Sequence, residues 1–327
     1  MKLHLITGSS GALILMALGL GLPGSADAER PSYRPPRDAE LWRPWRRLAE
    51  EGVRTEGDRG VWFWSSSSSP YGSVNILGDR ELENETIADF IAWDIGVVYG
   101  SYSDLPADEP RLVSIWNAKL HSARFESQLL LSDNDWILED TRQDMLDQID
   151  SRLLDFHATA RGTERFDALH LDIEPHGLSE WSGASDSEKR DLLELYIETI
   201  EEARDYLDAA GESALPIEVD LPVWYDSSSS AGWADDADRD DWFDRLLTAA
   251  QSVSMMAYER DSCSSIESGV DWEVARYPGQ VRVGLDIDVP GTWVDMDEMF
   301  VVAEDLEGIY GSGIDIHAWR DLKEALE

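Results

Sequence analysis

One stretch of this chain gathers groups able to do acid–base chemistry: Phe166-Asp167-Ala168-Leu169-His170-Leu171-Asp172-Ile173-Glu174-Pro175-His176. Side chains of a β-strand alternate between two faces. Read as a strand, the segment puts His170, Asp172 and Glu174 on one face and Leu169, Leu171 and Ile173 on the other. The apolar face can pack against neighbouring elements. The polar face brings two carboxylates and an imidazole together, which is costly to bury without partners or purpose. Pro175 has no backbone N–H and ends the ladder, so Glu174 falls at the C-terminal end of the strand. Two carboxyl groups can divide the acid and base work of glycosidic bond cleavage. Imidazole with carboxylates is also metal-ligand chemistry. Same-face strand residues lie about 6.6 Å apart, however, so one ion needs help from another strand. No further His-rich motif supplies that help. The site is therefore read with no metal and no cofactor. A metal-dependent hydrolase using His170, Asp172 and Glu174 is kept as an alternative.

The elements that must position these groups follow a regular plan. From Gly60 onward, short apolar runs alternate with longer helical patterns, the mark of βα units and a parallel sheet. The spacing predicts strands over Val61–Trp64, Ile95–Tyr99, Ser127–Leu131, Ala168–Glu174, Ile217–Val223, Ser252–Tyr258, Val281–Ile287 and Ile314–Trp319. Helices are predicted over Glu85–Trp93, Glu139–His157, Ser187–Ala210, Asp238–Gln251 and Asp295–Leu306. Eight strands in a chain of this length fit a single (β/α)₈ barrel domain, expected over residues 59–327, since such barrels run to about 250 residues. An open doubly wound sheet is the structural alternative, but no Gly-rich phosphate loop follows the first strand. Active sites of such barrels lie at the C-terminal ends of the strands, which is where Glu174 falls.

Other predicted strands repeat the pattern. Glu218 and Asp220 share a face, with Trp224 in phase beyond them. Met256 and Tyr258 share another, followed by Glu259. Asp286 and Asp288 form a third pair, Asp315, His317 and Trp319 a fourth, and Trp62 and Trp64 a fifth. Turned inward, these faces line the mouth with carboxylates and with Trp and Tyr. That mixture suits a sugar: aromatic faces stack on pyranose C–H faces, and carboxylates accept hydrogen bonds from hydroxyls. The expected partner is thus a poly- or oligosaccharide. Trp64, His170, Asp220, Trp224, Glu259, Asp286 and Trp319 are the expected substrate contacts. Each has a bland counterpart. An inward His is commonly a hydrogen-bonded core residue, and Tyr258 or Trp319 can equally be plain barrel-core aromatics. The serine runs Ser65–Ser69 and Ser227–Ser230 each follow a strand and read as loop filler.

These residues resemble a known family. Asp167-x-x-His170-x-Asp172-x-Glu174 is similar to the Asp-x-x-Asp-x-Asp-x-Glu motif of glycoside hydrolase family 18, the chitinase type, which lies on the fourth barrel strand. Met256-Ala257-Tyr258-Glu259 resembles that family's sixth-strand Met-x-Tyr-Asp motif, and Trp319 resembles the Trp that floors its sugar subsite. The resemblance implies that Glu174 is the general acid protonating the glycosidic oxygen. It implies that Asp172 orients the substrate's N-acetyl group, whose carbonyl attacks the anomeric carbon in place of a protein nucleophile. Tyr258 would hydrogen-bond that carbonyl, and Trp319 would stack beneath the sugar. His170 replaces the family's middle aspartate, where it could pair with Asp172 and keep it ionised. Glu259 replaces an Asp. With these departures, a hexosamine polymer other than chitin, or a binding-only descendant of a hydrolase, stays open.

Composition bounds the rest. A net charge of −40 over 327 residues argues against nucleic acid and anionic membrane surfaces as partners. It reads as a solvated acidic shell suited to salty surroundings. Hydrophobic residues at 43% and 14 Trp supply a core, so the charge does not imply disorder. Cys263 is the only cysteine, which excludes an intrachain disulfide. Lys2, the apolar run Ala12–Leu22 and Ala26-Asp27-Ala28 read as a secretory signal peptide over residues 1–28. Residues 29–58 read as a Pro/Arg-rich, basic arm. The mature protein is expected in the periplasm or the medium, with no stable membrane insertion after signal removal.

Overall fold

The structure, a computed structural model, describes residues 58–310 and 313–326. The expected signal peptide and all of the basic arm but Asp58 lie outside the described residues.

Eight parallel strands close into a barrel in sequence order. They are β1 (Arg59–Phe63), β2 (Ile95–Gly100), β3 (Glu126–Leu131), β4 (Ala168–Leu171), β5 (Ile217–Pro222), β6 (Ser252–Met256), β7 (Val281–Asp286) and β8 (Ile314–His317). β1 closes the ring by pairing with β8. The principal helices on the outside are α1 (Arg80–Ala92), α2 (Pro110–Ser122), α3 (Arg142–Ile149), α4 (Asp155–Thr159), α5 (Asp186–Ala209), α6 (Asp236–Ala249), α7 (Cys263–Arg276), α8 (Met296–Tyr310) and α9 (Trp319–Glu324). The (β/α)₈ architecture expected from the alternating pattern is thus the observed one, and each predicted strand overlaps an observed strand.

The two faces of each strand explain the layers. Phe63, Leu129, Leu131, Leu169, Leu171, Leu221, Val253, Leu285 and Ile316 belong to the large apolar layer shared with the helices. Alternate residues enter the barrel, where Trp62, Val97, Tyr99 and Leu130 form a small separate cluster. The interior is otherwise polar. Asp315 accepts hydrogen bonds from Tyr99 Oη (2.9 Å), Ser254 Oγ (2.7 Å) and Arg282 Nε (2.9 Å), so this buried charge is fully engaged. Gly60 lies against this group, and a Cβ there would overlap Asp315 and the Tyr99 ring. Helix starts follow local chemistry. Asp79 caps α1 by accepting from the Glu81 and Leu82 N–H groups, and Ser185 forms a capping box with Glu188 at α5.

Five strands are shorter than predicted. β5 and β7 lose one residue, at Pro222 and Asp286, while β4 stops at Leu171, β6 at Met256 and β8 at His317. Residues just past these ends therefore take their direction from loop geometry and not from strand alternation. Three of these helices were absent from the prediction: α2, opened by Pro110 at its first turn, α7, which begins within the short Ser-rich stretch at Cys263, and α9, which follows β8. In α2 a run of apolar and polar residues hides a buried stripe of Val113, Trp116 and Leu120.

Candidate functional site

Glu174, Asp172, Tyr258, Asp286 and His317 gather at the C-terminal ends of β4, β6, β7 and β8. Glu174 follows β4 and is half-buried. Its backbone N–H donates to Asn134 Oδ1 (2.7 Å), from the turn after β3, which pins the start of this loop. Burial pushes the Glu174 carboxyl up to about 7, helped by the nearby Asp220 and Glu259 charges and opposed by His317 only when that ring is protonated. Asp172 is held well above the usual carboxylate range by burial first, then by the charges of Asp220 and Glu174. Its Oδ1 has no hydrogen-bond partner among the described residues. Both carboxyls therefore hold their protons to higher pH than an exposed acid does.

Across the mouth stands a second group. His317 Nδ1 lies 3.0 Å from Asp286 Oδ2, and its Nε2 lies 3.0 Å from Trp64 Nε1. An indole N–H only donates. His317 Nε2 therefore carries a lone pair here, and its Nδ1–H donates to Asp286. Strand register places Asp286 beside His317 on the neighbouring strand. The Asp288 N–H donates to the other Asp286 oxygen (2.8 Å) and fixes that carboxylate. The Tyr258 ring packs on the imidazole, with centroids 5.0 Å apart. Burial, then the charges of Asp220, Asp172, Asp286 and Glu174, push the Tyr258 phenol well above its ordinary value, so it serves as a donor.

An aromatic wall flanks Glu174. Trp224, Tyr225, Trp181 and His176 pack together, with Trp224 to His176 at 5.1 Å and Trp181 stacked on Tyr225 at 5.9 Å. His176 Nε2 lies 3.9 Å from Glu174 Oε2. Burial lowers this imidazole to about 4, so it stands neutral beside the acid.

Beneath the carboxyls lies a buried layer. His170 is 1% exposed, with Nδ1 3.1 Å from Gln128 Oε1 and Nε2 2.9 Å from Asp220 Oδ2. Trp62 Nε1–H donates to the same Asp220 oxygen (3.2 Å).

The structure brings the expected catalytic residues Glu174, Asp172 and Tyr258 together, with Trp64, Trp224 and Asp286 around the same mouth and Glu259 exposed just after Tyr258. Other expectations need correction. His170 and Asp220 were expected to contact substrate, but both are buried in the layer below. Pairing of His170 with Asp172 was one of the two options the sequence left open; His170 pairs instead with Asp220, because the register sets β5 beside β4 at this level. Trp319 was expected beneath the sugar. It opens α9 and is 1% exposed, packed on Phe90 (5.0 Å), Trp93 (5.4 Å) and Phe63 in the layer outside the barrel. The strand ends at His317, so the alternation that set Trp319 in phase does not reach it.

Sequence reasoning missed Asn134, Trp181 and Tyr225 and gave His317 no role. Asn134 follows a strand end, and that position was the available signal. Trp181 sits in a loop without periodicity. Among the described residues, no cluster of three or more His, Cys, Asp or Glu side chains is arranged to hold a metal. Both His170 nitrogens are already engaged, so the triad of the metal alternative is not assembled. No described helix is long and apolar enough to cross a membrane.

No family model and no curated protein matches the chain. Solved structures share its fold. A β-glucuronidase from Bacteroides uniformis aligns with a TM-score of 0.52 at 12% identity, over 80% of this chain and 30% of that one. The present chain thus spans about a third of that protein. An endo-β-N-acetylglucosaminidase from Cordyceps militaris aligns at 0.47 and 11% identity, over 84% and 85% of the two chains. A D-psicose 3-epimerase from Clostridium cellulolyticum aligns at 0.47 and 12%, over 80% and 84%. At 12% identity the β-glucuronidase likeness bears on the fold alone, and the chemistry must be argued from the site itself.

Proposed function

We propose that this protein is an exported glycoside hydrolase acting on a hexosamine-containing polysaccharide, with Glu174 as general acid. One observation carries the reading. A strand-end carboxyl holds its proton near neutrality, beside a second acid carboxyl, between an aromatic wall and a tyrosine donor. A general acid works best when its pKa lies near the operating pH. Export is proposed on the N-terminal pattern of Lys2, Ala12–Leu22 and Ala26-Asp27-Ala28.

Glu174 gives its proton to the glycosidic oxygen as the C–O bond breaks. Asp172 hydrogen-bonds the substrate's acetamido group and turns its carbonyl oxygen toward the anomeric carbon, where it forms the new bond. Tyr258 donates to that oxygen. Water then attacks the anomeric carbon, the bond to the acetamido oxygen breaks and restores its carbonyl, and the water's proton passes to the Glu174 carboxylate, which regenerates the acid. One water is consumed per bond cleaved. The half-buried Trp224 offers a face for a neighbouring sugar ring.

The test compares wild type with Glu174→Gln on soluble N-acetylhexosamine oligomers, following both cleavage and binding. Loss of turnover by about 10²-fold or more, with binding kept, supports the acid role. Turnover that is the same in both proteins removes Glu174 from the mechanism. Binding without turnover in the wild type identifies a carbohydrate-binding barrel instead.

A further inference from the structure

The layer beneath the carboxyls has a charge logic that no role above uses. Gln128 Nε2 donates to Glu126 Oε1 (2.8 Å), which turns the amide oxygen of Gln128 toward His170. An amide oxygen only accepts, so His170 Nδ1 must carry a proton. The Asp220 carboxylate oxygen facing Nε2 also accepts, and it already takes the Trp62 indole N–H. Both imidazole nitrogens therefore donate, which is the bonding of an imidazolium. The Tyr99 ring packs on the imidazole face at 4.3 Å and the Trp62 ring meets its edge at 6.2 Å.

We propose that His170 is a fixed imidazolium that holds Asp220 as a buried carboxylate, and that this ion pair is the positioning device for the acid carboxyls above it. The groups facing His170 agree. Asp220 and Glu218 from β5 and Asp315 from β8 favour its charged form and outweigh burial, so its pKa is raised. Asp220 is in turn the largest charge acting to raise Glu174 and Asp172. His170 thus acts through Asp220: the cation keeps the anion in place, and the anion keeps protons on the carboxyls at the mouth. Asp220 Oδ1 is buried without a partner, so the anion's field is not consumed by a further donor.

The inference deepens the glycosidase reading and rests on Glu174 as its acid, but its test needs no substrate. The full chain, labelled with ¹⁵N in His and ¹³C in the Glu and Asp side-chain carboxyls, is titrated by NMR. The His170 signals are assigned by their loss in His170→Gln. Both ring nitrogens of His170 are expected to stay protonated through pH 7. A neutral ring at pH 6 overturns the proposal. Glu174 is then followed in Asp220→Asn and His170→Gln, and its midpoint is expected to fall by about one unit in each. An unchanged or raised midpoint in Asp220→Asn overturns the coupling, as does a raised midpoint in His170→Gln. If His170→Gln fails to fold, the wild-type ring titration and Asp220→Asn decide. Failure of the glycosidase reading leaves these midpoints where they are, so the two failures are told apart.

Discussion

Replacing Glu174 by Gln is expected to stabilise the fold, by an amount that grows between pH 4.5 and about 7 and is level above that. The carboxyl is raised from an ordinary 4.5 to about 7 by burial and neighbouring charge. The folded chain therefore holds this proton more tightly than the unfolded chain. Between pH 4.5 and about 7 the folded state binds more protons, so stability falls as pH rises across that window and is level above it. At about 1.4 kcal/mol per unit, the ionised group costs the folded state up to about 3 kcal/mol. The side chain is 31% exposed, and solvent screening reduces the working figure to about 2 kcal/mol. Gln keeps the shape and removes the charge. Urea unfolding of both proteins, followed by Trp fluorescence at pH 5 and pH 8.5, isolates the effect, because packing differences cancel between the two conditions. The variant should gain about 2 kcal/mol at pH 8.5 and less than about 1 kcal/mol at pH 5. Equal differences at both pH values, or a variant less stable at pH 8.5, refute the claim that Glu174 is a strained, proton-holding carboxyl.

Two further substitutions probe the positions of residues around the site. Trp319→Ala should lose about 3–5 kcal/mol of stability in denaturant melts, because the ring is 1% exposed in the outer layer. Oligosaccharide affinity should not change, and a selective loss of binding without loss of stability contradicts the placement. Asp315→Asn should lose about 3–5 kcal/mol, since it leaves the buried Arg282 with only the exposed Asp58 as a charge partner and weakens the bonds to Tyr99 and Ser254. Urea melts measure it, and a loss below about 1 kcal/mol shows the pair to be replaceable.

Much of the architecture was legible before any tertiary contact was known. Period-two alternation assigns each residue a face, and eight such runs separated by helices leave few closed arrangements. Hence Leu169 and Leu171 face the helices and His170 faces the interior, as their order in the chain requires. The place of Glu174 near the C-terminal end of β4 was legible in the same way. Partner choice was not. Whether His170 meets Asp172 or Asp220 depends on the register between β4 and β5, which is set by contacts across 50 positions of chain. The fate of Trp319 depended on where β8 stops, since alternation holds only while the ladder continues. The His317 tautomer needed Trp64 and Asp286, which come from opposite ends of the chain and meet only because β1 closes on β8 and β8 pairs with β7. Local pattern determines which side of a strand a group takes. Only barrel closure decides which charge it faces there, because electrostatic partners are chosen by distance in space and not by distance along the chain.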